Sequence, residues 1–253
     1  MSGYAVVAED LVKVYRLYAR PSDRIKESFH PLRRRYHTPF RALDGVSLTI
    51  RAGETFGIVG KNGSGKSTLL KILTGTLTPT SGRLSVAGRV AALLELGAGF
   101  NPEMTGIENI FFSGTIMGFT RREMEAKLER IVDFADIGDF IHQPAKLYSS
   151  GMFARLAFAV NTAVEPDVFI VDEALAVGDA AFVQRCMVRF RDMQKRGATI
   201  ILVTHDASMV RQLCGRALWL ERGRIRMLGD ALSVTEAYTM EVHGVEPGRA
   251  EAR

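Results

Sequence analysis

Gly60-Lys61-Asn62-Gly63-Ser64-Gly65-Lys66-Ser67 matches the pattern G-x-x-x-x-G-K-[ST], and Thr68 follows it. That spacing suits a loop that holds phosphate. Its glycines let successive backbone N–H groups turn inward around phosphate oxygens with no Cβ in the way. A helix beginning near Lys66 would add its positive dipole end. Lys66 supplies a point charge, and the Ser67 hydroxyl suits the Mg2+ that accompanies a nucleoside triphosphate.

Two further groups gain meaning from that loop. The run Val168-Phe169-Ile170-Val171-Asp172-Glu173 ends an apolar strand in two acids. Alone, such a pair is commonly a solvated strand end. Opposite a phosphate loop, Asp172 can hold Mg2+ through water, and Glu173 can orient or deprotonate the attacking water. Ala198–Val203 likewise leads to His205. A lone histidine is commonly structural, but one at a core strand end beside a nucleotide can hydrogen-bond a γ-phosphate. A third group, Leu147-Tyr148-Ser149-Ser150-Gly151-Met152, opens another helix. Ser149, Ser150 and the Gly151 amide form a second anion-binding helix N-terminus, although one nucleotide needs only one. The surplus cradle invites the γ-phosphate of a nucleotide held by another subunit.

The elements that must position these residues follow from periodicity and punctuation. Tyr4–Tyr15 reads as a strand or two, and Val46–Ile50 and Glu54–Val59 read as strands, the last running into the glycine loop. Ser67–Leu73 has helical composition and stops near Gly75. Short strands are expected at Arg83–Ala87 and Arg89–Leu94. From Glu103 to about Val164 the chain turns helical, with Arg121–Ala135 amphipathic and Phe153–Val164 apolar. Helix Phe182–Arg196, strands near Ala217–Glu221 and Arg224–Leu228, and a last helix from Ala231 to about Glu241 complete the reading. Unbroken apolar strands alternating with helices imply a mostly parallel sheet covered on both faces. The expected organisation is one α/β unit over 1–243, with core lobes of about 1–94 and 165–243. A helical subdomain of about 95–164 is inserted between them, and 244–253 form a mobile tail.

Composition sets limits on function. Of 253 residues, 47% are hydrophobic and 24% charged, which argues against a largely disordered chain. Uncharged runs such as Asn109–Thr120 fall well short of the ~20 residues that a spanning helix needs. The opening MSGYAVVAEDLV lacks a basic-then-apolar signal pattern. Cys186 and Cys214 sit in no metal-ligand spacing, and a reducing cytoplasm is expected. The net charge of +5 is local: residues 16–41 hold eight Lys/Arg against two acids. The rest of the chain is nearly neutral, so an electrostatic partner should meet it at this basic insertion, read as a proline-punctuated loop around a short helix at Ser22–Phe29.

Together these residues resemble the ATP-binding cassette (ABC) family, over about Tyr4 to Glu241. Tyr148–Met152 is similar to the family's LSGGQ signature in the form YSSGM. Asp179 matches its D-loop, His205 its switch histidine, and Tyr15 its adenine-stacking aromatic, with Tyr18 as the alternative. The spellings YSSGM, Glu173-Ala174-Leu175-Ala176-Val177-Gly178-Asp179, Leu94–Pro102 and Arg20–Arg24 resemble the ATPase subunits of exporters for lipid-linked polysaccharide: O-antigen, capsule or teichoic acid. The Q-loop glutamine position falls at Glu95 or Leu96, neither of them glutamine, so Glu95 is only a candidate metal ligand there.

The resemblance implies a P-loop NTPase fold with an N-terminal antiparallel β part. It implies ATP and Mg2+ as ligands, Ser67 and Asp172 at the metal, and Lys66, Glu173 and His205 in hydrolysis. It also implies a homodimer in which Gly60–Thr68 of one chain and Ser149, Ser150, Gly151 and Asp179 of the other enclose each ATP. A separate transmembrane permease would carry the polysaccharide, with this chain peripheral on the cytoplasmic face of the membrane and no nucleic acid as partner. The basic insertion would meet that permease, acidic lipid headgroups or a pyrophosphate-linked substrate. Two rivals are a soluble ABC-type ATPase not coupled to transport and a P-loop phosphotransferase, which would have no need of YSSGM.

Overall fold

The computed structural model describes residues 3–30, 35–93, 99–172 and 179–243. Glu95, Glu173 and the 244–253 tail lie outside the described residues, as do Arg33 and Arg34 of the basic insertion.

Two sheets share the core. Strands β1 (Tyr4–Tyr18), β2 (His37–Arg51) and β4 (Ser81–Val86) form an antiparallel sheet in the order β2-β1-β4. The second sheet uses β3 (Thr55–Val59), β5 (Val90–Leu93), β6 (Val168–Asp172), β7 (Thr199–Val203), β8 (Arg216–Glu221) and β9 (Arg224–Asp230), in the order β5-β6-β7-β3-β8-β9. Only β9, at one edge, runs antiparallel. This is the expected architecture, a mostly parallel core sheet with an antiparallel β part beside it.

The central strands read as continuous apolar runs because both faces are covered. All five residues of β7 are buried, as are Val168–Val171 of β6. On one face Phe56, Ile58, Ile170 and Ile201 pack with Leu69, Leu70, Ile72 and Leu73 of α2 (Lys66–Leu73) and with the antiparallel sheet. On the other, Phe169, Val171 and Leu202 pack against α6 (Ser150–Ala163), α7 (Ala180–Lys195), α8 (Ala207–Leu213) and α9 (Ala231–His243). No helix among the described residues is long and apolar enough to cross a membrane.

Between β5 and β6 the chain carries α3 (Gly106–Ile116), α4 (Arg121–Glu125), α5 (Leu128–Ala135), two short 3-10 turns and α6. The amphipathic stretch Arg121–Ala135 is two helices rather than the single one expected. At the break the Lys127 N–H donates to Met124 C=O, a tighter turn that redirects the axis. Each half seats on a different partner: Met124 of α4 fills the space beside Gly114 of α3, and α5 packs along α6. Thr105 and Thr120 cap α3 and α4 in capping boxes with Glu108 and Glu123.

The basic insertion also departs from the expected loop. β1 and β2 pair onward through Tyr15↔Phe40 and Arg16↔Pro39 to Tyr18↔His37, so a two-stranded arm projects with α1 (Pro21–Phe29) at its end. β2 is an edge strand, where Pro39 can sit without removing a bond from an interior ladder.

Candidate active site

The parallel register brings the C-terminal strand ends level. Val203 of β7 lies opposite both Ile58 of β3 and Asp172 of β6. The glycine loop leaves β3 immediately and enters α2, with Gly65 at the N-cap in a left-handed conformation (φ +109°). A Cβ there would stand 2.6 Å from Ala42 O, and one on Gly60 would stand 2.4 Å from Leu220 O. Glycine is therefore required at both positions.

Lys66 is buried at 7% exposure, and its Nζ donates to Gly60 O at 2.6 Å and Lys61 O at 3.2 Å. The Ser64 hydroxyl is buried with no hydrogen-bond partner.

A cleft of about 540 Å³ opens on the loop. One wall is Asn62, Gly63, Gly65, Lys66, Ser67 and Thr68; Asp172 faces them, and Phe40, Arg41, Ala42, Arg222 and Gly223 close the mouth. The residues fit a nucleotide phosphate chain. A buried cation, a helix N-terminus and a loop with no room for a Cβ at Gly60 or Gly65 all converge on the cleft. Ser67 and Asp172 together offer a hydroxyl and a carboxylate, hard oxygen donors that suit Mg2+ completed by phosphate and water.

The structure places the remaining candidates as follows. His205 is exposed just beyond the C-terminal end of β7, next in the sheet to both β3 and β6, and does not line the cleft. Asp206 after it caps α8, accepting from Ser208 N at 2.8 Å and Ser208 Oγ at 2.6 Å, and these bonds hold its carboxyl below the usual range. Tyr15 stands across from Phe40, which itself lines the cleft. Tyr18 is turned to the arm, donating to Glu27 at 3.3 Å.

Ser149 and Ser150 are exposed, and Ser149 Oγ caps α6 by accepting from Met152 N at 3.2 Å. Asp179 caps α7, accepting from Phe182 N at 2.8 Å, and pairs with Arg155 of α6. The backbone bond first and the Arg155 charge next hold its carboxyl below the usual range. Cys186 and Cys214 are buried, and burial pushes both thiols up to about 12, which leaves them unreactive.

Residues 43–176, which carry the phosphate loop, Asp172 and the α6 N-terminus, match the family described as ABC transporter. The chain belongs to the ABC transporter family. As a member of that family, with relatives named as ATP-binding subunits, the chain is an ATPase. Among its relatives, the ABC transporter protein AbcA of Aeromonas salmonicida is 53% identical over 214 residues, 85% of this chain and 70% of that one. The O-antigen export system ATP-binding protein RfbB of Klebsiella pneumoniae is 44% identical over 236 residues, 90% of this chain and 94% of that one. The teichoic acids export ATP-binding protein TagH of Bacillus anthracis is 40% identical over 236 residues, covering 93% of this chain and 42% of that one. Among solved structures, the dimeric ATP-binding cassette MJ0796 bound to ADP and phosphate shares the fold at TM-score 0.72 and 20% identity. The match covers 89% of this chain and 98% of that one.

In this ABC cassette, Phe40, Arg41 and Arg222 line the cleft yet escape a reading by motif. Phe40 is the cross-strand neighbour of the expected aromatic and shares its face of the sheet, and it is Phe40 that lines the cleft. Arg222 arrives from a hairpin turn far along the chain. Its one local signal is the dipeptide Arg222-Gly223 between two apolar runs, a hairpin mark that carries no chemistry of its own.

Proposed function

We propose that the chain powers export of a lipid-linked polysaccharide, of O-antigen, capsule or teichoic acid type, through a separate transmembrane subunit. The observation that carries the ATP-hydrolysing part is the meeting of Lys66, Ser67 and Asp172 in one cleft at the carboxyl ends of adjacent strands. The export part is supported by kinship with proteins named for O-antigen and teichoic acid export.

Gly60–Thr68 would hold the phosphates, with Lys66 and the α2 N-terminus drawing charge from the γ-phosphate. Mg2+ at Ser67 and Asp172 neutralises phosphate oxygens when bound. Glu173, next in sequence to Asp172, would take a proton from the attacking water, and His205 would hold the γ-phosphate by a hydrogen bond. Ser149, Ser150, Gly151 and Asp179 of a second copy would complete the enclosure. Each chain gives one half-site of either kind, so the interface closes on two-fold symmetry. Hydrolysis removes the contacts that join the copies and lets them part. The chain would work peripherally at the cytoplasmic face of the membrane, its basic arm toward the permease or acidic headgroups.

The test is co-purification from the native host, followed by ATP hydrolysis of the complex. A multispanning membrane protein should accompany the chain and lose it when Arg16, Arg20 and Arg24 are reversed to Glu. Recovery with nucleic acid and no membrane partner would overturn the export reading. Glu173→Gln should bind ATP, lose more than about 90% of turnover and accumulate as an ATP-bound dimer. Undiminished hydrolysis would remove Glu173 from its role.

A further inference from the structure

β8 and β9 are joined by Arg222-Gly223, both with positive φ (+47° and +77°). Two-residue turns of this hand favour Asn, Asp or Gly at the first position, so an arginine there is held against its own backbone preference. The turn is also fastened to the phosphate loop. Gly223 N–H donates to Ser64 O at 2.8 Å, and Gly223 O accepts from Asp44 N at 2.9 Å. A Cβ on Gly223 would stand 2.7 Å from Ala42 O. Arg222 lines the cleft and also a smaller cavity bounded by Lys61 and Asn62.

The neighbouring arginines already have partners. Arg41 donates to Asp44 at 2.7 Å, Arg224 to the same carboxylate at 2.9 Å, and Arg226 to Glu221 at 2.7 Å. Arg222 makes no hydrogen bond or ion pair among the described residues. A strained turn pinned to the loop thus presents the one arginine of this group that lacks a carboxylate.

We propose that Arg222 is a further nucleotide-binding residue, a guanidinium offered to the phosphate chain of the nucleotide held by Gly60–Thr68. The proposal rests on the reading of that cleft as a nucleotide site. Phosphate is the target because a planar guanidinium engages its oxygens in pairs. The aromatic Phe40 lies at the same mouth, where a base would stack.

The test is equilibrium binding of Mg-ATP, ADP and adenosine to the purified full chain, read by displacement of a fluorescent ADP analogue. Arg222→Ala and Arg222→Gly should weaken ATP and ADP about tenfold, the size of one charge-assisted contact, and leave adenosine unchanged. Arg222→Lys should retain part of the affinity, and the difference from the parent should shrink as salt rises. Arg222→Gly, which suits the turn better, should leave Tm at or above the parent's. A fall in Tm with the loss of binding would mark a structural role and overturn the proposal. Unchanged ATP affinity in Arg222→Ala overturns it too. Unchanged affinity in Lys66→Ala would instead sink the nucleotide-site reading beneath it.

Discussion

A buried lysine is costly unless its protons are placed, and the loop carrying Lys66 places two of them on its own carbonyls, Gly60 O and Lys61 O. The same curvature that aims those carbonyls inward leaves no volume at Gly65. Gly65→Ala would combine a Cβ 2.6 Å from Ala42 O with φ +109°. We expect it to cost about 1–3 kcal/mol in urea unfolding and to abolish ATP binding. Gly63 also has positive φ (+79°) but open space around it, so Gly63→Ala should cost only about 1 kcal/mol. Equal losses at the two sites would show that backbone hand alone, and not crowding by Ala42, sets the requirement. The loop was legible in the sequence because its chemistry lies in consecutive residues. Arg222 was not, because the turn that presents it is fixed to Ser64 by a hydrogen bond across the fold.

An element is legible in the sequence where one strand or helix carries its own pattern, as in β6 and β7, and not where a partner decides the outcome. Residues 16–41 look like a loop from charge and proline alone, yet Tyr15–Tyr18 find their ladder in residues 37–40. Glu27 then joins α1 to both strands. It accepts from Tyr36 N at 2.7 Å, His37 N at 3.2 Å, His37 Nδ1 at 2.8 Å and Tyr18 OH at 3.3 Å. The Tyr36 amide above all, with His37 adding to it against a partial desolvation cost, lowers the Glu27 carboxyl from 4.5 to about 2. A depressed carboxyl stabilises above its ordinary value and loses that contribution as pH falls through the depressed one. Hydrogen-exchange protection of the Tyr36 and His37 amides should therefore hold from pH 7 to 5 and decline between 4.5 and about 2. Glu27→Gln should remove that decline. A pH-independent arm in the parent protein would show that Glu27 is not its latch. The break between α4 and α5 teaches the same lesson. One helical period ran through both, and only the separate seats of Met124 on α3 and of α5 on α6 divide them.

At the scale of the molecule, one chain displays two helix starts that we propose serve phosphate, at α2 and at α6, but among the described residues the cleft that joins the glycine loop to a carboxylate includes only the first. Asp179 is tied within its own chain to Arg155 of α6, so an ion pair joins the start of α7 to α6 in one block. If that block serves the nucleotide of another copy, two different defects should complement each other. Lys66→Ala spoils the loop and leaves α6 intact. Gly151→Asp spoils the α6 start and leaves the loop intact. Space beside Gly151 is open, with only Ser149 Oγ at 3.8 Å, so the added carboxylate should fold normally and repel a γ-phosphate. Each variant alone should be inactive, because every composite site lacks one half. Mixed in equal amounts, about half of the dimers pair the two variants, and one of their two sites is then whole. Hydrolysis should return to about a quarter of the parent rate if the sites fire independently, and differently tagged chains should associate on ATP. A site completed within a single chain forbids the recovered hydrolysis, since no chain in the mixture carries two sound halves.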